Sequence, residues 1–209
     1  MLQTPPKQIS LYQSLIQQVP LLSLKQLLSE LIFSILIRVV VIKLMDIGLI
    51  MSNTEQEFGS KIHILVNFAG VMDPKGAFLC SKEAANRLAR GGGGRIILIL
   101  TSVVGGLFPG YGAYPASKAA VETMAKIMAK ELKGSGITVN CVAPGPVAVA
   151  TELFFAGKTE ETVNRLVDSC PLGRFGQPDD VRKIVGFLVG DDGEWINGQI
   201  IRANGGSVV

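Results

Sequence analysis

Short, uninterrupted apolar runs alternate with helix-forming segments along the chain, and this alternation constrains the fold more than any other feature. The runs predicted as strands are residues 62–67, 95–101, 137–143 and 199–203. The segments predicted as helices are residues 76–90, 116–132 and 160–169, and one further helix that begins at Pro178. Apolar runs without polar alternation are typical of strands buried on both faces, and helices between them supply the crossovers of a parallel sheet. The sequence therefore predicts an α/β fold with a doubly wound parallel sheet.

The first 61 residues have a different character. They are rich in Leu, Ile, Gln and Ser, and the first glycine of the chain is Gly48. Leucines and an isoleucine between positions 24 and 35 follow helical spacing, whereas the β-branched run at 38–43 indicates a short strand. We therefore predict a single domain made of an atypical, mainly helical segment, residues 1–61, followed by a sheet-forming portion, residues 62–209.

Composition excludes several classes of protein. The 209 residues are 48% hydrophobic and 18% charged, so the chain can bury a core and is not a disordered one. The net charge is 20 − 17 = +3 without a dense Lys/Arg stripe, so we expect no nucleic-acid partner. The most hydrophobic stretch, residues 21–51, is interrupted by charged side chains, so we expect no membrane span.

Cysteine and histidine usage argues against a metal site. Cys80, Cys141 and Cys170 lie 61 and 29 residues apart, and His63 is the only histidine. A zinc site needs four closely spaced nitrogen or sulfur ligands, so we expect no metal. Three widely spaced cysteines also suit a reducing compartment, and we predict a cytoplasmic location while leaving organelle targeting open.

A tyrosine and a lysine stand four residues apart at the start of the longest predicted helix. Tyr114 and Lys118 therefore share one helix face, where an ammonium would favour the phenolate and lower the tyrosine pKa. Ser102 ends a predicted strand 12 residues earlier, where its hydroxyl could donate to a substrate carbonyl. Taken alone, the Tyr–Lys pair is more often two surface neighbours, and Ser102 could be a turn cap. Their combination at strand ends favours an active site with Tyr114 as general acid or base.

Several segments together resemble one protein family. They are LVNFAG (65–70), GRIILILTSVVGG (94–106), YPASK (114–118), NCVAPGPV (140–147), PLGRFGQPDDV (171–181) and WINGQIIRANGG (195–206). With them, residues 62–209 resemble the short-chain dehydrogenase/reductase family, and are most similar to its plant NADP(H)-dependent aldehyde or carbonyl reductases. The resemblance implies a Rossmann-like doubly wound sheet that is incomplete on its N-terminal side.

The resemblance also implies a reaction and a set of roles. Hydride would pass between NADP(H) or NAD(H) and a small aldehyde, ketone or alcohol, with Tyr114 as proton donor, Ser102 holding the carbonyl oxygen and Lys118 lowering the tyrosine pKa. It implies cofactor contacts at Asn67, Ala69, Gly70, Tyr114, Lys118, Pro144, Gly145 and Val147. A homo-oligomer built through the two long helices is a further expectation.

Two departures from the family pattern support an alternative. The glycine-rich phosphate turn is absent, since residues 1–47 contain no glycine, and only VMDPKG (71–76) connects Gly70 to the next predicted helix. That short connection removes the place of the family's active-site asparagine. The alternative is a truncated, catalytically inactive homologue that acts as a scaffold or as a partner of intact relatives. A serine hydrolase or zinc enzyme is excluded by the single histidine and the lack of a G-x-S-x-G motif.

Overall fold

In the part of the chain that the structure describes, five parallel strands form one sheet, and their order follows the chain. The computed structural model describes residues 39–41, 47–59, 61–67, 74–147 and 159–209, so the helices expected between residues 24 and 35 lie outside the described residues. The strands are β1 (Val39–Val41), β2 (Ile64–Asn67), β3 (Gly94–Ile99), β4 (Ile137–Pro144) and β5 (Ile200–Ala203), in the order β1-β2-β3-β4-β5. All four pairings are parallel. The predicted strands, including the short one near residue 40, are confirmed.

Helices connect the strands as the alternation predicts. They are α1 (Ile47–Phe58), α2 (Pro74–Arg87), α3 (Val103–Gly106), α4 (Ala113–Glu131), α5 (Glu160–Asp168) and α6 (Pro178–Val189), followed by a 3-10 turn (Asp191–Gly193). The start of α6 shows why these segments are helical. Pro178 stands in the first turn, and the side chains of Gln177 and Asp180 form a capping box that satisfies the first free N–H groups.

The sheet separates two apolar layers. On one face, Leu65, Ile96 and Val139 belong to a buried cluster to which α1, α2 and α4 contribute. The alternate strand residues, such as Ile97 and Val142, are equally buried but lie outside that cluster. Helix α6 packs against β3, β4 and β5, and its buried side chains also lie outside the cluster. Helices therefore cover both faces, which explains why the strands are apolar without alternation.

The inner face of α4 agrees only in part with the expected one. Periodicity alone would place Ala120, Met124, Ile127 and Met128 against the sheet. Met128 is buried and Met124 packs against the core as expected, but the other buried residues are Lys118, Val121 and Ala125, and Ala120 and Ile127 are exposed. The helix has apolar residues on two adjacent faces, so composition does not single out one of them. The structure selects the face that also carries Lys118.

The described residues hold neither a membrane-spanning helix nor a metal-binding cluster. None of the helices placed by the structure is long and apolar enough to cross a bilayer. In the same parts of the chain, no three His, Cys, Asp or Glu side chains come together as ligands. Cys80, Cys141 and Cys170 are free and buried.

Candidate active site

The carboxyl edge of the sheet gathers the residues that the sequence singles out. Asn67 is the last residue of β2, Pro144 is the last of β4, and Ser102 follows the end of β3 by three residues. Asn67 and Ser102 are 2% and 4% exposed. Because all the strands are parallel, their carboxyl ends share the edge at which ligands of such sheets bind.

Ser102 is hydrogen-bonded to the end of β4 through both its backbone and its side chain. Its N–H donates to the carbonyl of Pro144 at 2.9 Å, and its Oγ donates to the carbonyl of Ala143 at 2.7 Å. It also ends the strand region immediately before α3. The predicted place of this hydroxyl, at the end of a buried strand, is thus confirmed, and its donor hydrogen is engaged by the backbone.

Tyr114 and Lys118 come together on one face of α4. Lys118 is 5% exposed, and its Nζ lies 6.0 Å from the centroid of the Tyr114 ring. Pro115 follows Tyr114 within the first turn of the helix, where a missing N–H has no intrahelical partner. The four-residue spacing therefore produces the juxtaposition that the sequence predicts.

The pKa of Tyr114 shifts in the direction opposite to the prediction. Burial raises the pKa of the Tyr114 phenol, and a hydrogen bond with the Thr101 side chain only partly opposes that rise. Burial also lowers the pKa of Lys118. The expected lowering of the tyrosine pKa is therefore wrong for this structure, because the loss of water around the phenolate outweighs the Thr101 hydrogen bond.

Thr101 is a site residue that the sequence analysis missed. Its side chain hydrogen-bonds Tyr114, its Oγ1 accepts the N–H of Val103 at 3.3 Å, and it is only 9% exposed. The available signal was the change from apolar to hydroxyl residues at Thr101–Ser102. Both hydroxyls lie at the strand end, and Thr101 is the one that contacts the tyrosine.

The loop after β4 completes the described part of the edge. The Gly145 N–H donates to the Ala203 carbonyl at 3.0 Å, and a Cβ built on Gly145 would lie 2.8 Å from the Cβ of Asn204. Val147 forms a parallel bridge with Gly176. This tight packing requires glycine at position 145 and fixes the loop beside Ser102. Ala69 and Gly70, the other predicted cofactor contacts, lie outside the described residues.

A parallel sheet covered on both faces, with a hydroxyl and a Tyr–Lys pair at its carboxyl edge, defines a protein of the dinucleotide-fold class. Residues 72–207 match the family model described as enoyl-(acyl carrier protein) reductase. The chain belongs to the short-chain dehydrogenase/reductase family.

Relatives and solved structures agree with that assignment. The chain is 58% identical over 175 residues to an NADPH-dependent aldehyde reductase-like protein, chloroplastic, of Arabidopsis thaliana, covering 74% of this chain and 64% of the relative. It is 50% identical over 184 residues to a short-chain type dehydrogenase/reductase of Picea abies, covering 78% and 67%. The angucycline C-6 ketoreductase LanV with bound NADP is 28% identical, with a TM-score of 0.69 over 78% of this chain and 70% of that one. The chain thus spans less than two thirds of the Arabidopsis relative.

The donor set at the edge fits one end of a dinucleotide. The buried amide of Asn67 and the ammonium of Lys118 are groups that hydrogen-bond ribose hydroxyls and carboxamides. The other end fits less well. Residues 42–46, which connect β1 to α1, read IKLMD and offer no glycine for close approach of a pyrophosphate.

Proposed function

We propose that this chain is an NADP(H)-dependent carbonyl reductase that uses Tyr114 as its general acid. The observation that supports this proposal best is the pairing of a buried lysine with Tyr114 beside the Thr101–Ser102 strand end. The names of the relatives, an NADPH-dependent aldehyde reductase-like protein and a ketoreductase with bound NADP, point to the same cofactor and to a carbonyl substrate.

Each site residue has a role in the proposed reaction. A bound nicotinamide supplies the hydride chemistry, and Asn67, Lys118 and the loop at Gly145 are the described residues that would hold it. Tyr114 donates its phenolic proton to the carbonyl oxygen of the substrate in reduction. Because the pKa of Tyr114 is raised, the phenol carries that proton throughout the neutral range.

To take part in the reaction, the Ser102 hydroxyl must give up its present hydrogen bond and donate to the substrate instead. A serine hydroxyl has a single donor hydrogen, which now lies on the Ala143 carbonyl at 2.7 Å. Polarising a substrate carbonyl requires that hydrogen to turn away from Ala143. The exchange takes this donor away from the buried Ala143 carbonyl, a loss of about 1–3 kcal/mol that the new hydrogen bond to the substrate oxygen has to offset.

The competing candidate is a non-catalytic member that serves as a scaffold or hetero-oligomer partner. Two observations favour it: the glycine-free sequence at 42–46, and hydroxyls of Ser102 and Thr101 already engaged by protein groups. Direct titration of the purified protein with NADPH, followed by cofactor fluorescence, separates the candidates. Saturable binding supports the reductase, and absence of binding by folded protein supports the scaffold.

Replacing Tyr114 tests the proposed chemistry. We expect Tyr114→Phe to lower the rate of NADPH oxidation with benzaldehyde by about 10²- to 10⁴-fold, the usual contribution of a general acid. Tyr111→Phe is the matched control, because Tyr111 is 52% exposed and lies three residues earlier in the preceding loop. Equal turnover by the wild type and Tyr114→Phe would remove Tyr114 from the mechanism.

Cellular location stays a prediction. The sequence analysis favours the cytoplasm, whereas the Arabidopsis relative is named chloroplastic. Imaging of the full chain fused at its C-terminus to a fluorescent protein in plant cells decides between the two compartments.

A further inference from the structure

Gly105, the third residue of the short helix α3, packs against two other parts of the chain. A Cβ built on this glycine would lie 2.8 Å from Cγ1 of Val208 and 2.9 Å from Nη2 of Arg202. This close approach depends on the absence of a side chain at position 105. Helix α3 therefore rests directly on a side chain of β5 and on the turn that follows β5.

That turn, residues 204–208, is folded by the side chain of its first residue and is called the post-β5 turn below. Nδ2 of Asn204 donates to the Val208 carbonyl at 2.7 Å, and Oδ1 accepts the Gly206 N–H at 3.0 Å. The Ser207 hydroxyl donates to the Asn204 carbonyl at 2.8 Å. These bonds bring Val208 back onto α3, whereas the next residue, Val209, is fully exposed.

Helix α3 connects this turn to the hydroxyl groups of the candidate site. The Gly105 N–H donates to the Ser102 carbonyl at 3.0 Å, and the Val103 N–H donates to Oγ1 of Thr101 at 3.3 Å. The residue that contacts Val208 is thus one hydrogen bond away from the backbone of the proposed active-site serine. A shift of α3 would move Ser102 with it.

The contact at Gly105 matters most when Ser102 takes part in the reaction. Two hydrogen bonds now tie this residue to β4, from Oγ to the Ala143 carbonyl and from the N–H to the Pro144 carbonyl. The proposed mechanism turns the hydroxyl toward the substrate, which leaves only the N–H bond to β4. The packing of α3 on the post-β5 turn then supplies the remaining restraint on Ser102.

We propose that the post-β5 turn positions Ser102 through the contact of Val208 with Gly105. Val208 is a positioning residue, because it holds α3 in place and α3 fixes the backbone of the serine. Small errors in the placement of a reacting group are costly, so this packing sets the rate of reduction. The inference rests on the proposed reductase function and adds to it a determinant that lies beyond β5.

Replacing Val208 tests the proposal. Val208→Ala removes the Cγ1 that contacts Gly105, and we expect kcat for NADPH oxidation with benzaldehyde to fall by about 10-fold. We expect KM to stay nearly unchanged, because the lost restraint acts on the transition state and not on substrate binding. Val209→Ala is the matched control, since it makes the same change at the adjacent, fully exposed residue.

A compensating substitution tests the contact itself. Gly105→Ala alone should also lower kcat, because its methyl group would lie 2.8 Å from Cγ1 of Val208. Combined with Val208→Ala, the added carbon fills space that the valine has vacated, so the double variant should regain part of the lost kcat. Gly186→Ala is the control, since a Cβ there meets nothing within 4 Å. Strictly additive losses would overturn the contact as the link.

Hydrogen–deuterium exchange gives a measurement that does not need turnover. In Val208→Ala, residues 100–107 should exchange faster than in Val209→Ala, with exchange of α6 unchanged and with reversal by Gly105→Ala. If the wild type consumes no benzaldehyde but exchange changes in this way, the reductase proposal fails and the positioning link stands.

Three results would overturn the proposal: Val208→Ala matching Val209→Ala in exchange, faster exchange over the whole chain, or local change without loss of kcat in an active enzyme. Should Val208→Ala fail to fold by circular dichroism, Asn204→Ala supplies the same comparison. It removes the hydrogen bond to Val208 and keeps the Cβ that packs on Gly145.

Discussion

At the scale of single residues, the candidate site is governed by burial more than by its charges. Lys118 is 5% exposed, and removal of water lowers its pKa while raising that of Tyr114. A phenol in such surroundings stays protonated at neutral pH, so Tyr114 begins the proposed cycle as an acid. A protonated phenol is the form that reduction of a carbonyl requires.

The pH dependence of reduction follows from the raised pKa of Tyr114. Reduction needs the protonated phenol, so its rate holds below that pKa and declines as the pH rises through it. Since the ordinary value is near 10, we expect the decline to begin only in the alkaline range above it. Initial rates of NADPH oxidation at saturating aldehyde, measured from pH 6 to 11, check this. A loss of rate already at pH 8 would contradict the assigned direction.

The Thr101 hydroxyl also affects the pKa of Tyr114, and therefore the pH dependence of the rate. Its hydrogen bond lowers the pKa of Tyr114, so Thr101→Val should move the alkaline limb of the rate profile to higher pH. Valine keeps the shape of threonine and removes only the hydroxyl. Thr123→Val on the exposed side of α4 is the control, because the Thr123 hydroxyl bonds only a carbonyl of its own helix. An unmoved limb in Thr101→Val would show that this hydrogen bond is absent during turnover.

At the scale of elements, hydrophobic periodicity and the residues that begin or end elements predict the strands and helices well. The apolar run before Asn67 and the proline that opens α6 are local signals, and the elements begin or end within a few residues of them. The inner face of α4 and the contact of Thr101 with Tyr114 are not local. They depend on the distance between the helix and the sheet in the folded structure. That distance cannot be read from residues that are neighbours in the sequence.

Helix α6 packs on the sheet through a buried apolar face, in which Leu188 is the most deeply buried side chain. Leu188 is 0% exposed and belongs to the face that packs on β3, β4 and β5, whereas Phe187 is 45% exposed. Leu188→Ala should lower the free energy of unfolding by about 2–5 kcal/mol, because the cavity it leaves cannot close. Urea denaturation measures this, with Phe187→Ala as the matched control and a smaller expected loss. Equal losses would mean that α6 is not seated on the sheet.

At the scale of the whole molecule, the described chain leaves apolar side chains exposed on two neighbouring helices. Phe78 and Leu79 of α2 and Ile127 of α4 are 49%, 39% and 50% exposed, and the two helices pack side by side. Adjacent exposed apolar residues of this kind mark interaction surfaces. The homo-oligomer expected from the sequence remains our prediction, and this surface is where we place its contact.

Light scattering coupled to size exclusion checks the assembly. We expect the full chain to elute with at least twice its monomer mass of 22.2 kDa, and Ile127→Lys to shift it toward the monomer. A lysine at this position introduces a charge that a second copy would have to bury. Lys133→Glu, beyond the end of α4, serves as a charge-changing control. A wild-type chain that elutes as a monomer at all concentrations would contradict the prediction.

The sequential strand order has a consequence for how the chain folds during its synthesis. From β2 onward, each described strand pairs with the one that precedes it in the chain. On a ribosome, which releases the N-terminal end first, every strand therefore emerges to find its earlier neighbour already outside the exit tunnel. On the growing side of the sheet, the newest strand presents an open edge until the following crossover supplies the next strand.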